Sequence, residues 1–576
     1  MPSTSPRTDP CPEPQSDLAI ARSTPLSPIA AIAADAGIPE QRVEPYGRHV
    51  AKIDLGVLDD IAGRRPAKYV VVTAVTPTPL GEGKTTTAVG LAQGLAALGH
   101  RTMLTLRQPS MGPTFGVKGG AAGAGHAQVL PMEQMNLHLT GDFHAITAAH
   151  NLLAAMVDNH LHQGNDLGLD PHAISWRRVV DVNDRALRNL VLGLGQAQDG
   201  VPRQSGFDIT AASEVGVIIA LATSLRDLRE RLGRIVVGFT RDGRPVTADD
   251  LRAAGAMAVI LKDALRPNLL QTCEHTPVLV HAGPFGNIAT GNSSIVADQV
   301  GVRCADYLIT EAGFGADMGA ERFVNIKCRL SGLQPHAAVV VTTVRAMKLH
   351  SGRHRVVAGR PLPDAMLAEN PDDVRAGAAN LLKHLDIVHS FGLIPVVAVN
   401  VFPQDHPSEL QAIVDIASAA GVRCRLATHV VDGGQGAVDL ARAVVEACEQ
   451  PSEVRYTYRL DEPLVAKITA VAREVYGADA IDVLPDAARE LARLEALGYG
   501  NLPVVIAKTH LSISSDPRLK GAPTGWTLPV REVRLAAGAG YVYAICGDMR
   551  TMPGLGRHPA AERIDIDEHG EIVGLF

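Results

Sequence analysis

VTAVTPTPLGEGKTTTAVGLAQGLAALG, residues 72–99, reads as a β-rich run, a tight loop and a helix in immediate succession. The β-branched run begins at Tyr69, and a helix with small residues on one face leaves from Lys84 and Thr85. Between them lies the turn Thr78, Pro79, Leu80, Gly81, Glu82, Gly83. Gly81 and Gly83 let backbone N–H groups turn toward a phosphate, and the helix N-terminus adds partial positive charge. In such a loop Lys84 reaches the β- and γ-phosphates and Thr85 holds the magnesium ion. The pattern GxxxxGK[ST] asks for glycine five residues before Gly83, where this chain carries Thr78. Magnesium-ATP is the ligand this turn predicts.

Outward from the loop, short apolar runs alternate with helical stretches. RTMLTL (101–106) is followed by ITAAHNLLAAMVDNHLHQ (146–163). Further runs are RIVVGFT, MAVILKD, TPVLVHAG, DYLITEAG, AAVVVTTV, IPVVAVNV, LPVVIAKT and GYVYAICGD, each read as a buried strand ending in glycine, asparagine, threonine or an acid. Alternation of this kind implies right-handed βαβ units, with ligand loops at the carboxyl ends of the strands. The expected fold class is α/β: a P-loop-type, mostly parallel sheet flanked by helices, in a large nucleotide-binding domain with one or two smaller α/β domains. Residues 1–16 are expected to be a disordered tail. A nucleotide-binding region is expected over 17–380, with room for two lobes, and a smaller acceptor-side region over 381–576.

Composition bounds the function. The chain has 576 residues, 46% hydrophobic and 20% charged, enough to bury a large core. Its charge sum is 54 − 61 = −7, and no basic stripe is present to neutralise phosphates, so a nucleic-acid partner is excluded. Seven cysteines never fall as CxxC, which predicts buried free thiols in a reducing compartment. The Pro- and Ser-rich N-terminus lacks a signal-peptide core. The most apolar stretch, Val215–Leu225, is too short to span a bilayer. A cytoplasmic protein without a membrane partner is expected.

A second Gly-rich loop, RQPSMGPTFGVKGGAAGAGHAQVLP (107–131), follows the next strand. So much glycine suits a loop wrapped around an anion and no regular element. Arg107, first after the strand, has the planar fork that holds an acyl phosphate or carboxylate, or else makes a surface ion pair. Asp142, in LTGDFHAITAAHN, reads either as a helix N-cap or as a carboxylate orienting a cation or an attacking amine. The histidines of 126–162 contain no HExxH, so no metal cluster is expected there.

At these loops the chain resembles a known family. TPTPLGEGKTTT, RQPSMGPTFGVKGGAAGAG, LTGDFHAITAAHNLLAAMVDNHLHQGN, FDITAASE, TEAGFGADMGAERFVNIKCR and the closing GDMRTMPGLG…GLF resemble formate–tetrahydrofolate ligase, over residues 17 to 576. The resemblance implies that ATP phosphorylates formate and that N10 of tetrahydrofolate attacks the resulting formyl phosphate. It further implies that Lys84 and the 78–85 loop hold ATP, Arg107 binds formyl phosphate, and Asp142 lies near the attacking amine. On the folate side it implies Phe391, Phe314, Val430 and His510. It also implies a homotetramer.

Several positions depart from the family pattern. Gln108 replaces the glutamate associated with an activating monovalent cation, which leaves that cation open. Val430 stands where the family has a pterin-stacking tryptophan. Thr290, Asn292, Val401, His510 and Arg550 are further departures toward the acceptor side. Two other readings stand beside the ligase: a ligase passing a small acyl phosphate to a non-folate amine, and an inactive nucleotide-binding partner protein.

Overall fold

The computed structural model describes residues 16–116, 122–357 and 360–575. The expected tail over 1–15 and the tip of the second Gly-rich loop, 117–121, lie outside them. Ser16 is already structured: it caps the helix Asp17–Ser23, its hydroxyl accepting from the Ala19 N–H.

The main sheet starts with the antiparallel pair β1 (Val43–Pro45) and β2 (Ala51–Ile53). Then comes β3 (Lys68–Ala74), with Tyr69 and Val71 in one core and Val70, Val72 and Ala74 in another on the opposite face. A strand covered on both faces needs a continuous apolar run, which YVVV supplies. Helix α1 (Lys84–Ala97), β4 (Thr102–Leu106) and β5 (Ala127–Leu130) follow.

The chain next leaves the sheet for an insertion with its own core. Helix α2 (Asp142–His162) opens it, followed by β6 (Leu169–Ile174), α3 (Glu214–Leu221), β7 (Val236–Thr240), β8 (Pro245–Thr247) and α4 (Ala254–Leu261). Leu153, Val157, Ile218, Leu221, Met257 and Leu261 are among its buried residues. Of MAVILKD, expected as a strand, Met257–Leu261 lie in α4. An apolar run of that length has no period separating strand from buried helix, and the Ala-rich stretch before it extends the helix instead.

The chain rejoins the main sheet at β9 (Asn268–Thr272), β10 (Pro277–Val280) and β11 (Tyr307–Glu311). It continues through β12 (Ala337–Thr342), α5 (Ala378–Ser390), β13 (Ile394–Asn400), β14 (Arg423–Ala427) and α6 (Val438–Cys448). The order is β1-β2-β9-β10-β4-β11-β3-β12-β13-β14, with β5 on β9 and the two-residue strand Gly123–Ala124 on β5, in a twelve-stranded sheet. Every neighbouring pair from β10 to β14 is parallel. The expected boundary at 380/381 therefore falls inside this sheet. Strands β12 and β13 pair across it from Ala337–Ile394 to Thr342–Val399, and α5 is only their crossover.

The C-terminal part adds β15 (Ala480–Val483), α7 (Pro485–Ala496), β16 (Val504–Ala507), β17 (Thr527–Val530), β18 (Glu532–Ala536) and β19 (Tyr541–Ile545). β15 pairs with β17, and β19 lies between β16 and β18. Among the described residues no helix is long and apolar enough to cross a membrane, and no group of three metal-ligating side chains occurs. Among the described residues six cysteines are free thiols, all but Cys273 buried.

Candidate active site

Parallel strands carry their ligand loops at one edge, and here the Gly-rich turn 78–83 leaves β3 at that edge. Gly81 and Gly83 hold φ of 76° and 75°, left-handed values that only glycine adopts freely. A Cβ on Gly83 would also stand 2.7 Å from Asn400 Nδ2. Asn400 ends β13 and pins the loop from below: Nδ2 donates to the Glu82 carbonyl at 2.7 Å, and Oδ1 accepts from Thr87 Oγ1 at 2.9 Å. Glu82 is buried and its Oε1 accepts from the Thr78 N–H at 2.7 Å, while burial pushes its carboxyl up. Thr78 thus closes the turn by a side-chain bridge where the usual pattern has glycine. Pro79 is exposed and Leu80 half-buried on the outside of the turn. Lys84 opens α1, its Nζ 3.9 Å from Glu82.

Glu311, the last residue of β11, was not singled out from sequence, although DYLITEAG reads as a strand ending in an acid. Its Oε2 accepts from Thr85 Oγ1 at 2.7 Å, and its Oε1 lies 3.7 Å from Arg107 Nε. Arg107 follows β4 and its guanidinium passes over glycine backbone: a Cβ on Gly313 would meet it at 3.3 Å and one on Gly291 at 4.0 Å. Its carboxylate neighbour is buried, so the surface ion-pair reading does not hold.

Asp142 is not an N-cap. Gly141 holds the cap at φ 89°, and Asp142 is the first residue of α2 with its carboxylate buried. Oδ1 accepts from Lys52 Nζ at 2.6 Å and Oδ2 accepts from Asn268 Nδ2 at 2.8 Å; Thr140 Oγ1 stands 3.3 Å from Oδ1 and donates to Asn268 Oδ1 at 2.6 Å. Asn268 in β9 and Leu106 in β4 both pair with Val280 of β10, so two strand spacings, about 10 Å, separate their positions. Neither Lys52 nor Asn268 carries a local sequence signal beyond a polar residue inside an apolar strand.

Beside Arg107 lies the loop 283–292, fastened by the buried Arg322, which donates to the Ala289 carbonyl at 3.0 Å and the Ile506 carbonyl at 2.6 Å. Gln108 is buried; its N–H donates to the Ala282 carbonyl at 2.7 Å, and its Oε1 has no partner among the described residues. The same holds for Thr290 Oγ1 and for both amide atoms of the buried Asn292. Phe314, at φ 61°, stacks on His510 with centroids 4.7 Å apart and planes at 21°. Val430 is 38% exposed, and its carbonyl accepts from the His126 N–H of the second Gly-rich loop at 2.9 Å. Val401 is half-buried and Arg550 exposed.

Phe391 is a correction. It lies at the amino end of β13, away from this edge, and is 1% exposed within the main core. The aromatic that β13 brings to the ligand edge is Phe402, two residues beyond its other end and covered by the Arg345 guanidinium at 4.2 Å. Asn400 pairs with Ala427 of β14, so Phe402 and Val430 leave adjacent strand ends. Thr85 and Arg107 thus meet at Glu311, with Lys84 next to Thr85 at the start of α1 and Phe314 and His510 alongside; Asp142 sits farther along the edge.

A family model described as formate–tetrahydrofolate ligase matches residues 15–576. The chain is 71% identical over 562 residues to the formate–tetrahydrofolate ligase of Cutibacterium acnes, covering 98% of this chain and 100% of that protein. It is 66% identical over 560 residues to that of Saccharopolyspora erythraea, covering 97% and 99%. The ligase of Roseiflexus castenholzii is 60% identical over 562 residues, covering 97% and 100%.

Proposed function

This chain belongs to the formate–tetrahydrofolate ligase family, and from that membership we propose that it joins formate to tetrahydrofolate using ATP. A formate oxygen attacks the γ-phosphorus; the new P–O bond forms as the bond to ADP breaks. The N10 lone pair then attacks the formyl carbon. A C–N bond forms, the C–O bond to phosphate breaks with its electron pair leaving on phosphate, and N10 gives up its proton.

The observation that carries this reading is the meeting of Thr85 and Arg107 at Glu311, with Lys84 adjacent at the start of α1. Lys84 and the N-terminus of α1 bind the transferring phosphate. The Thr85 hydroxyl and the Glu311 carboxylate are hard oxygen donors of the kind magnesium takes, and together would hold it; bound there, magnesium neutralises phosphate charge. Arg107 offers two parallel donors to formyl phosphate. A carboxylate has about four acceptor directions; at Asp142 Lys52 takes one on Oδ1 and Asn268 one on Oδ2, the single Thr140 proton going to Asn268 Oδ1 at 2.6 Å. The second Oδ2 direction suits the attacking amine.

Phe402 and Val430 bracket the pterin, and Phe314 with His510 forms a neighbouring wall. With valine on one side the stack loses about 1 kcal/mol of aromatic contact. A monovalent cation would meet Gln108 Oε1, a buried oxygen that fits as a donor but adds no charge, so cation activation is weak on this reading. We place the nucleotide region on the main sheet through α6, with the insertion as a second lobe and the C-terminal sheets as a third. A cytoplasmic homotetramer completes the reading, and light scattering tests its mass.

The deciding experiment supplies purified protein with magnesium-ATP and formate, with and without tetrahydrofolate, following ADP and the 10-formyl product. Tetrahydrofolate-dependent product is expected. ADP release with hydroxylamine-trappable formyl phosphate but no formylated folate would mean that the acceptor has changed.

A further inference from the structure

Lys52 plays no part in the phosphate chemistry, yet it is a lysine inside a strand whose three residues are all buried, its side chain 1% exposed. A buried ammonium is tolerated only when paired and hydrogen-bonded. Here Nζ donates to Asp142 Oδ1 at 2.6 Å and to the Arg266 carbonyl at 2.9 Å. A well-packed apolar pair would join β2 to α2 at least as firmly, so adhesion alone does not account for it.

Sheet register gives the pair a second property. Lys52 of β2 is the cross-strand partner of Asn268 in β9, Asn268 that of Val280 in β10, and Val280 that of Leu106 in β4. One lateral row of the sheet therefore runs from Lys52 to the residue before Arg107. Asn268 cannot rotate within that row: Nδ2 donates to Asp142 Oδ2 and to the Val280 carbonyl at 3.1 Å, while Oδ1 accepts from Thr140 at 2.6 Å.

We infer that Lys52 is a positioning residue for formyl transfer: with Asn268 it clamps the Asp142 carboxylate at a set distance from Arg107, leaving one Oδ2 direction for the attacking amine. The inference rests on the reading of Asp142 given above. It assigns Lys52 to the second half-reaction alone, because the phosphate loop and Arg107 do not touch it. The charged and titratable groups around the clamp are Arg266 and Asp263 beyond α4, His281 after β10, and Lys327. The His281 ring is engaged on both sides, by Ser294 Oγ at 2.6 Å and the Ala264 carbonyl at 2.8 Å.

The test separates the half-reactions in the full-length protein. Lys52→Met, Lys52→Arg and Asn268→Ala are assayed for formyl phosphate, trapped as the hydroxamate without tetrahydrofolate, and for 10-formyl product with it. Each variant should keep its trapping rate and ATP KM within threefold of the parent. The kcat for 10-formyl product should fall 30-fold or more in Lys52→Met, and less in Lys52→Arg. If Lys52→Met does not fold, Lys52→Arg and Asn268→Ala decide, since both retain part of the clamp. Parent-like transfer in the folded variants overturns the inference, as does an equal loss of trapping and transfer. Asp142→Asn separates the premise: parent-like transfer in that variant ends the reading of Asp142, whatever Lys52 does. With the premise intact, Lys52→Met/Asp142→Asn should be no slower than Asp142→Asn alone.

Discussion

Thr85 Oγ1 donates to Glu311 Oε2 at 2.7 Å, joining the start of α1 to the end of the neighbouring strand β11. The same carboxylate faces Arg107 from its other oxygen. One buried acid thus links the start of α1 to the arginine that follows β4, and its charge is poised between the Thr85 hydroxyl and a guanidinium.

Glu311→Gln keeps the shape and removes the charge. Oxygen ligation of magnesium weakens and Arg107 loses its counter-charge. The kcat for ADP release should fall about 100-fold or more, with a higher magnesium requirement and an unchanged melting temperature. A magnesium titration of ADP release checks this; parent-like dependence would remove Glu311 from the site.

Gly83→Ala meets two obstacles, a φ of 75° and the Asn400 amide 2.7 Å from the new Cβ. Strain at such a position is about 1–3 kcal/mol, and it falls on the loop rather than on the core. ATP binding should weaken tenfold or more by calorimetry while the far-ultraviolet circular dichroism stays that of the parent.

The two phenylalanines flanking β13 should behave oppositely. Phe391→Ala leaves a core cavity and should lose about 3–5 kcal/mol of stability, with any surviving enzyme keeping its KM for tetrahydrofolate. Phe402→Ala should leave the melting temperature nearly unchanged and raise that KM several-fold. Steady-state kinetics paired with thermal melts read both.

Glu321 is fully buried, one oxygen bonded to Asn325 Nδ2 at 2.8 Å, and burial pushes its carboxyl from an ordinary 4.5 up to about 7. An acid raised on folding contributes stability that is complete below pH 4.5 and lost as pH rises through 7. Relative to the parent, Glu321→Gln should therefore gain roughly 3 kcal/mol between pH 4.5 and 8. The buried His150, His281, His350, His384 and His429, pushed down to about 4, give the opposite slope between pH 6.5 and 4. They are common to both proteins, so they cancel in the difference. Melts at several pH values check it, and a constant difference would falsify the assignment.

Much of the site was legible because it is local. The strand, turn and helix around Gly83 lie within thirty residues, and each step follows from glycine, apolar runs and helix-terminus chemistry. Arg107 was legible for the same reason, as the first residue after a strand. Phe391 and Phe402 were not separable in this way. Both flank one strand, and only its direction in a parallel sheet tells which end meets the ligand. MAVILKD failed for a related reason, since an apolar run says that a segment is buried but not in what form.

The sequence by itself determined the α/β class, the strand–turn–helix around Gly83 and the family, because these reside in contiguous patterns whose physics is complete within a few turns of chain. Tertiary structure alone decided that Glu311 meets Thr85, that Asn400 closes the loop, and that Lys52, Asn268 and Asp142 form one clamp. Those partners lie tens to hundreds of residues apart, and strand order and register bring them together. Which polar side chain is buried against which is a property of the assembled sheet, where the penalty for an unpaired buried charge selects the partner.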